Sequence, residues 1–89
     1  MNDERILREK AREAIRTARL PVRKPDRKLG GLGTGSICTL CDELVTLTQM
    51  EFEIEFNRGG SMSHLERHRL HPRCFAAWEF ERGRSSERS

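Results

Sequence analysis

Read for its apolar positions, the chain changes period as it goes. Ile6, Leu7, Ala11, Ala14, Ile15 and Ala18 recur near helical spacing within Glu4 to Leu20, a stretch without Gly or Pro. This predicts an amphipathic helix to about Arg19, with Asp3 as its cap. The stripe is narrow and weakened by alanine, which suits docking on the rest of the chain or on another copy; direct nucleic-acid contact is the alternative. From Met50 to Phe56 the period becomes two, with Met50, Phe52, Ile54 and Phe56 on one face and Glu51, Glu53 and Glu55 on the other. That is the clearest strand signal in the chain. Asn57-Arg58-Gly59-Gly60 reads as a hairpin turn and Ser61 to Leu70 as the return strand. Met62, Leu65 and Leu70 do not share one parity there, and His64, His68 and His71 lie at i, i+4 and i+7, so a helix is the alternative. A strand is preferred because an unpartnered hairpin strand leaves a row of bare donors. On a strand His64 and His68 share a face with Glu66. Pro72 then suits the first turn of a last helix, lined by Phe75, Ala77 and Trp78 and ended by Gly83. Trp78 is expected to be the largest core side chain, packing on Phe52 and Ile54.

Between the first helix and the strands the pattern is broken. Pro21 and Pro25 exclude a helix from Leu20 to Lys28 and predict an extended basic linker. Arg23, Lys24, Arg27 and Lys28, against Asp26 alone, form the densest positive run. It reads either as a solvated linker or as an arm that tracks phosphates. Leu29 to Ser36 holds four of the seven glycines, but no strand precedes it and no helix follows, so a phosphate loop is a poor fit. A tight-packing loop threading under the following domain, its backbone close to Trp78 or to a metal, is the expectation. The resulting division is 1–20 helix, 21–36 linker and loop, 37–83 folded domain and 84–89 disordered tail.

Length and composition sharpen this outline. Eighty-nine residues, 35% hydrophobic and 35% charged, make at most one small domain that needs a staple. Three cysteines are an odd number for a disulfide scaffold. The first twenty residues lack an apolar run suited to a signal peptide or a membrane span, so a cytoplasmic, reducing location is expected. The net charge is +3, unevenly spread: ten Lys/Arg against five Asp/Glu in residues 1–30, one against five in 31–58, and six against four in 59–89. A pI near 9.1 is compatible with an anionic polymer as partner.

The chemistry lies in two pairs, Cys38-Thr39-Leu40-Cys41 and His71-Pro72-Arg73-Cys74, which together use every cysteine. Two residues between the members of each pair lets a tight turn aim both at one ion, and Cys38, Cys41, His71 and Cys74 can close a tetrahedral Cys3His site for one structural Zn2+. His64 or His68 could replace His71, though only His71 shares a turn with Cys74. His71 and Cys74 fall at the start of the last helix, where outward N–H groups favour thiolate. A redox Cys-x-x-Cys would open a helix within a βαβ unit, which this length does not accommodate. Four protein ligands leave no position for a reactive water, so no enzyme is expected.

These residues resemble the treble-clef class of zinc fingers: a Cys-x-x-Cys knuckle, a β-hairpin, then a helix carrying two ligands in its first turn. His71-Pro72-Arg73-Cys74-Phe75 is similar to the second ligand pair of the first finger of LIM domains. The resemblance covers Cys38 to about Arg82. It departs from LIM in the longer gap between Cys41 and His71, and in Ala76, Ala77 and Trp78 where a second finger would begin. A further likeness is to short bacterial proteins with a Gly-rich lead and the same two pairs, which implies no function. The resemblance implies a small zinc-stabilised α+β domain, preceded here by a helix and a basic linker. Two functions fit: a module that binds DNA or RNA through Arg23, Lys24, Arg27 and Lys28, or a protein-interaction adaptor docking through the N-terminal helix or the glutamate face.

Overall fold

A computed structural model describes residues 4–57 and 65–88, with side chains described as far as Arg84. Helix α1 (Glu4–Arg16) is followed by strands β1 (Arg27–Leu32), β2 (Met50–Asn57) and β3 (Leu65–Leu70) and by helix α2 (Pro72–Arg88). The strands form one antiparallel sheet in the order β1-β2-β3, so the fold is a small α+β one. Asp3, Met62 and His64 lie outside the described residues.

The stripe on α1 is buried at Leu7, Ala11 and Ala14 and packs on α2, while Ile6 stays 44% exposed. Small residues at 11 and 14 suit close approach of the helices. Across their contact Arg12 lies 3.3 Å from Glu81, whose side chain is almost fully enclosed. The docking reading of α1 is thus the one realised. The helix stops at Arg16, earlier than the expected Arg19. Ala18 turns to a φ of 64°, and the N–H groups of Arg19 and Leu20 both return to the Ala14 carbonyl. This is a left-handed helix end made without glycine.

The segment expected to be linker and loop contains a strand. β1 takes up the last two basic residues and the first two glycines, and pairs Arg27 with Glu55 through to Leu32 with Met50. Its glycines do not serve approach to Trp78 or to the Cys/His cluster. A Cβ on Gly30 would lie 3.0 Å from the Phe52 ring, and one on Gly33 would lie 2.0 Å from the Thr46 carbonyl oxygen. Gly33 is bare because a second backbone, residues 45–49, runs against it.

On β2 the alternation holds, with two corrections. Ile54 and Phe56 are buried and Phe52 half-buried, but Met50 at the strand end is half exposed. The glutamate face is not a free acidic surface either. Arg69 lies 3.3 Å from Glu51 and 3.5 Å from Glu53, Arg67 lies 3.2 Å from Glu55, and Glu51 and Glu55 are 6% and 7% exposed. β3, a strand as preferred, carries the cations that cancel the charge. α2 contributes Trp78, fully buried, whose Nε1–H donates to the Pro21 carbonyl at 2.9 Å. Its ring partners are Phe56 and Phe75 at 6.1 and 5.7 Å; Phe52, expected there, meets Phe75 edge-on, and the expected Ile54 is buried in the same core. The helix also runs through Gly83 to Arg88. A lone helical glycine costs only about 1 kcal/mol, and here the pairs Arg82 with Glu79 and Arg84 with Glu81 flank it. No described helix is long and apolar enough to cross a membrane.

Candidate metal centre

Each ligand pair is held by a local structure that its sequence explains. Ile37 and Leu44 form an antiparallel bridge, and Cys38 N–H donates to the Glu43 carbonyl at 2.9 Å. The Asp42 N–H returns to the Cys38 carbonyl at 2.9 Å, which closes the turn between the two cysteines. Asp42 takes a φ of 64°, a conformation that Asp tolerates better than most residues. The second pair straddles the start of α2: His71 immediately precedes the helix, Cys74 lies in its first turn, and the Phe75 N–H bonds to the His71 carbonyl. Pro72 supplies a preset φ at the first helical position.

These two devices bring Cys38, Cys41, His71 and Cys74 together. All four are buried, and one ligand atom from each lies within 4.8 Å of the others. His71 Nδ1 is 3.4 Å from Cys41 Sγ and 3.9 Å from Cys74 Sγ. Metal bonds of about 2.3 Å to sulfur and about 2.0–2.1 Å to nitrogen, at tetrahedral angles, require an S···N edge of about 3.6 Å. The observed edges bracket that value. On its other side His71 Nε2–H donates to the Leu44 carbonyl at 3.1 Å. This fixes the tautomer that leaves Nδ1 free to ligate, and the carbonyl comes from the knuckle's own bridge. The donor set therefore fits one metal ion.

The sulfurs are prepared unequally. A hydrogen bond from the Cys74 thiol holds Cys38 well below the usual thiol range, aided by backbone N–H groups of Cys41, His71 and Leu40 against the opposing effect of burial. Cys74 is pushed up by the same hydrogen bond with Cys38 and by burial, and Cys41 is pushed up chiefly by burial. Cys38 sits where backbone donors converge, which favours its thiolate.

His68 does not compete for the ion. Its Nε2 is 2.5 Å from Glu66 and its Nδ1 is 3.3 Å from the Thr39 hydroxyl, so both ring nitrogens are engaged elsewhere. The four basic residues are not gathered into one arm. Arg23 pairs with Asp26 at 3.1 Å and lies over the Phe56 ring, while Lys28 Nζ lies over Phe52 and Phe75 at 5.3 and 5.1 Å. Lys24 and Arg27 are exposed. Arg19 is a contributor that sequence reasoning missed: it donates to the Thr39 carbonyl and lies 3.2 Å from Asp42, bracing the knuckle from the chain that leaves α1. Nothing local signals it, because the two partners are about twenty residues away in sequence. Comparison of the chain with protein-family models, curated proteins and solved structures returns no match.

Proposed function

We propose that this chain is a non-catalytic zinc module of treble-clef type, in which Zn2+ held by Cys38, Cys41, His71 and Cys74 fixes the knuckle to the hairpin and α2. The observation that carries this reading is the oriented His71. Its Nε2–H is spent on Leu44, and its Nδ1 stands at ligand-edge distance from two buried sulfurs. Three thiolates and an imidazole favour Zn2+ over oxygen-seeking ions, and four protein ligands leave no open position for a reactive water. The order of knuckle, β2-β3 hairpin and ligand-bearing helix supports the treble-clef assignment.

The module's role is protein interaction. Leu32, Ile37, Leu44, Leu47 and Met50 are each at least half exposed along the ribbon that joins β1 to the knuckle and back to β2. Leu32 lies opposite Met50 in the β1–β2 register and Ile37 opposite Leu44 across the bridge, and exposed apolar side chains grouped in this way suit a protein partner. The sites named from sequence for an adaptor support this role less, since α1 is docked and the glutamates are paired. Nucleic-acid contact through Arg23, Lys24, Arg27 and Lys28 is the second reading, and it rests on the exposed Lys24 and Arg27.

Native mass spectrometry of the purified chain tests the metal, with one zinc per chain expected; a folded, metal-free chain after gentle purification overturns it. Binding to generic DNA and RNA across a salt series tests the second reading. A steep linear fall of log affinity with log salt supports phosphate contact. Absence of binding at low salt leaves protein interaction.

A further inference from the structure

The sheet has one edge that the described residues leave unpaired, and its hydrogen-bonding groups can be assigned one by one. The Gly33 N–H donates to the Gln49 carbonyl at 2.8 Å, in step with the β1–β2 register. In an antiparallel pair, hydrogen-bonded positions alternate. Arg27, Leu29 and Gly31 therefore turn their N–H and C=O groups toward β2, and Lys28, Gly30 and Leu32 turn theirs outward. Among the described residues no hydrogen bond reaches those outward groups, and all six residues of β1 are exposed. The opposite edge is already engaged, since the outward carbonyl of Arg69 on β3 accepts the Thr39 N–H at 3.0 Å.

Gly31 adds a second observation. A Cβ there would meet nothing within 4 Å, and its φ is not positive, so the chain's own fold does not require glycine at this position. Glycine inside a strand weakens it by about 0.5–1 kcal/mol relative to alanine, and it commonly marks the close approach of another backbone or ligand. Two residues away on the same face, Leu29 is 42% exposed.

We propose that β1 pairs antiparallel with β1 of a second copy of this chain, with Gly30 on the two-fold axis, to make a continuous six-stranded sheet. Only registers that place outward groups opposite outward groups form the ladder, and a slip of one residue also exchanges the two faces. Centring on Gly30 sets Lys28 opposite Leu32 of the second copy and Leu32 opposite its Lys28, so the three outward pairs can exchange six hydrogen bonds. The same register sets Leu29 opposite Gly31 of the second copy, twice by symmetry. Each exposed leucine then covers a bare glycine. Charge is compatible as well: Arg27 falls opposite Gly33 and Lys28 opposite Leu32, so no cation meets its own copy. The contact is built from six-residue strands, which places it at the small, concentration-dependent end of interfaces. It follows from the β1–β2 register and does not depend on the metal.

Sedimentation velocity of the full, metal-loaded chain from about 1 µM to about 1 mM, a range that spans weak association, should show mass rising from 10.3 kDa toward twice that value. Gly31→Val should keep a folded monomer, at least as resistant to heat because its Cβ is unopposed, while weakening dimerisation by about tenfold or more. Leu29→Lys should do the same without filling Gly31. In a sample mixing labelled and unlabelled chains, nuclear Overhauser effects should join the Leu29 methyls to the Gly31 Hα across copies. A monomer up to the highest concentration, or a dimer that ignores both variants and lacks that cross-copy signal, would overturn the proposal.

Discussion

Replacing His71 with alanine tests the candidate metal centre directly, because this residue is tied to both halves of the site. Its Nδ1 faces Cys41 and Cys74, and its Nε2–H holds the Leu44 carbonyl. Zinc bound by four such ligands is worth about 10–16 kcal/mol at neutral pH. One ligand in four then represents about 3 kcal/mol, or about a hundredfold in affinity at 1.4 kcal/mol per decade. A domain of this size has a net stability of only about 4–13 kcal/mol, so a zinc ion bound at that strength would match or exceed all of it. We therefore expect His71→Ala to lose about a hundredfold in competition against a chromophoric chelator, and to unfold at a temperature between those of zinc-loaded and chelator-treated wild type. His68→Ala should change zinc affinity by less than about threefold, since its ring is engaged by Glu66 and Thr39 at an energy typical of single hydrogen bonds. Cobalt substitution adds a spectroscopic check, because visible bands of a three-sulfur, one-nitrogen site should be lost or displaced in His71→Ala alone. Equal losses in the two variants, or an unaltered affinity in His71→Ala, would refute the ligand assignment.

Three further outcomes follow from individual contacts. Gly33→Ala should be strongly destabilising in a thermal melt, because its methyl would lie 2.0 Å from the Thr46 carbonyl oxygen, and relieving it means separating two backbones; a loss of about 2 kcal/mol or more is expected. Ala18→Gly should raise the melting temperature, since φ of 64° costs an L-residue about 1–2 kcal/mol and glycine returns part of this as unfolded-state entropy. Asp26 should titrate below the usual carboxylate range, held down first by the Arg23 hydrogen bond and then by the Asn57 N–H. Its folded value is the lower one, so its contribution to stability is present above the unfolded value and lost as pH falls through the folded value. A carboxyl-detected NMR titration, compared between wild type and Arg23→Gln, checks this: the Asp26 midpoint should move up in the variant.

What could be read from the chain in advance was whatever is enforced locally. Two ligand pairs at fixed spacing, each closed by one turn, announce their geometry without knowledge of the rest, and β2 declares itself through an unbroken period of two. β1 does not, because its signal belongs to its partner. Arg-Lys-Leu-Gly-Gly-Leu has no apolar alternation, follows two prolines, and stays exposed on every residue; it is a strand because β2, with Ile54 and Phe56 buried, presents a second edge that needs hydrogen bonds. The same reasoning applies to the charge runs. Glu51, Glu53 and Glu55 look like a surface until the antiparallel register sets Glu53 against Arg69 and Glu55 against Arg67. The alternation of Arg67 and Arg69 was visible in the sequence but had no meaning until β3 was known to be a strand. Likewise Arg23 and Lys28 read as an arm for phosphates, yet Asp26 and the rings of Phe52, Phe56 and Phe75 lie within their reach. Cations over aromatic faces contribute about 0.5–1 kcal/mol each at such exposed positions, enough to set their resting place and little enough to release them. A charged run in a small domain thus also serves to cover the chain's own aromatic and acidic surface, and it does so here while Arg23, Lys24, Arg27 and Lys28 all keep exposed positions.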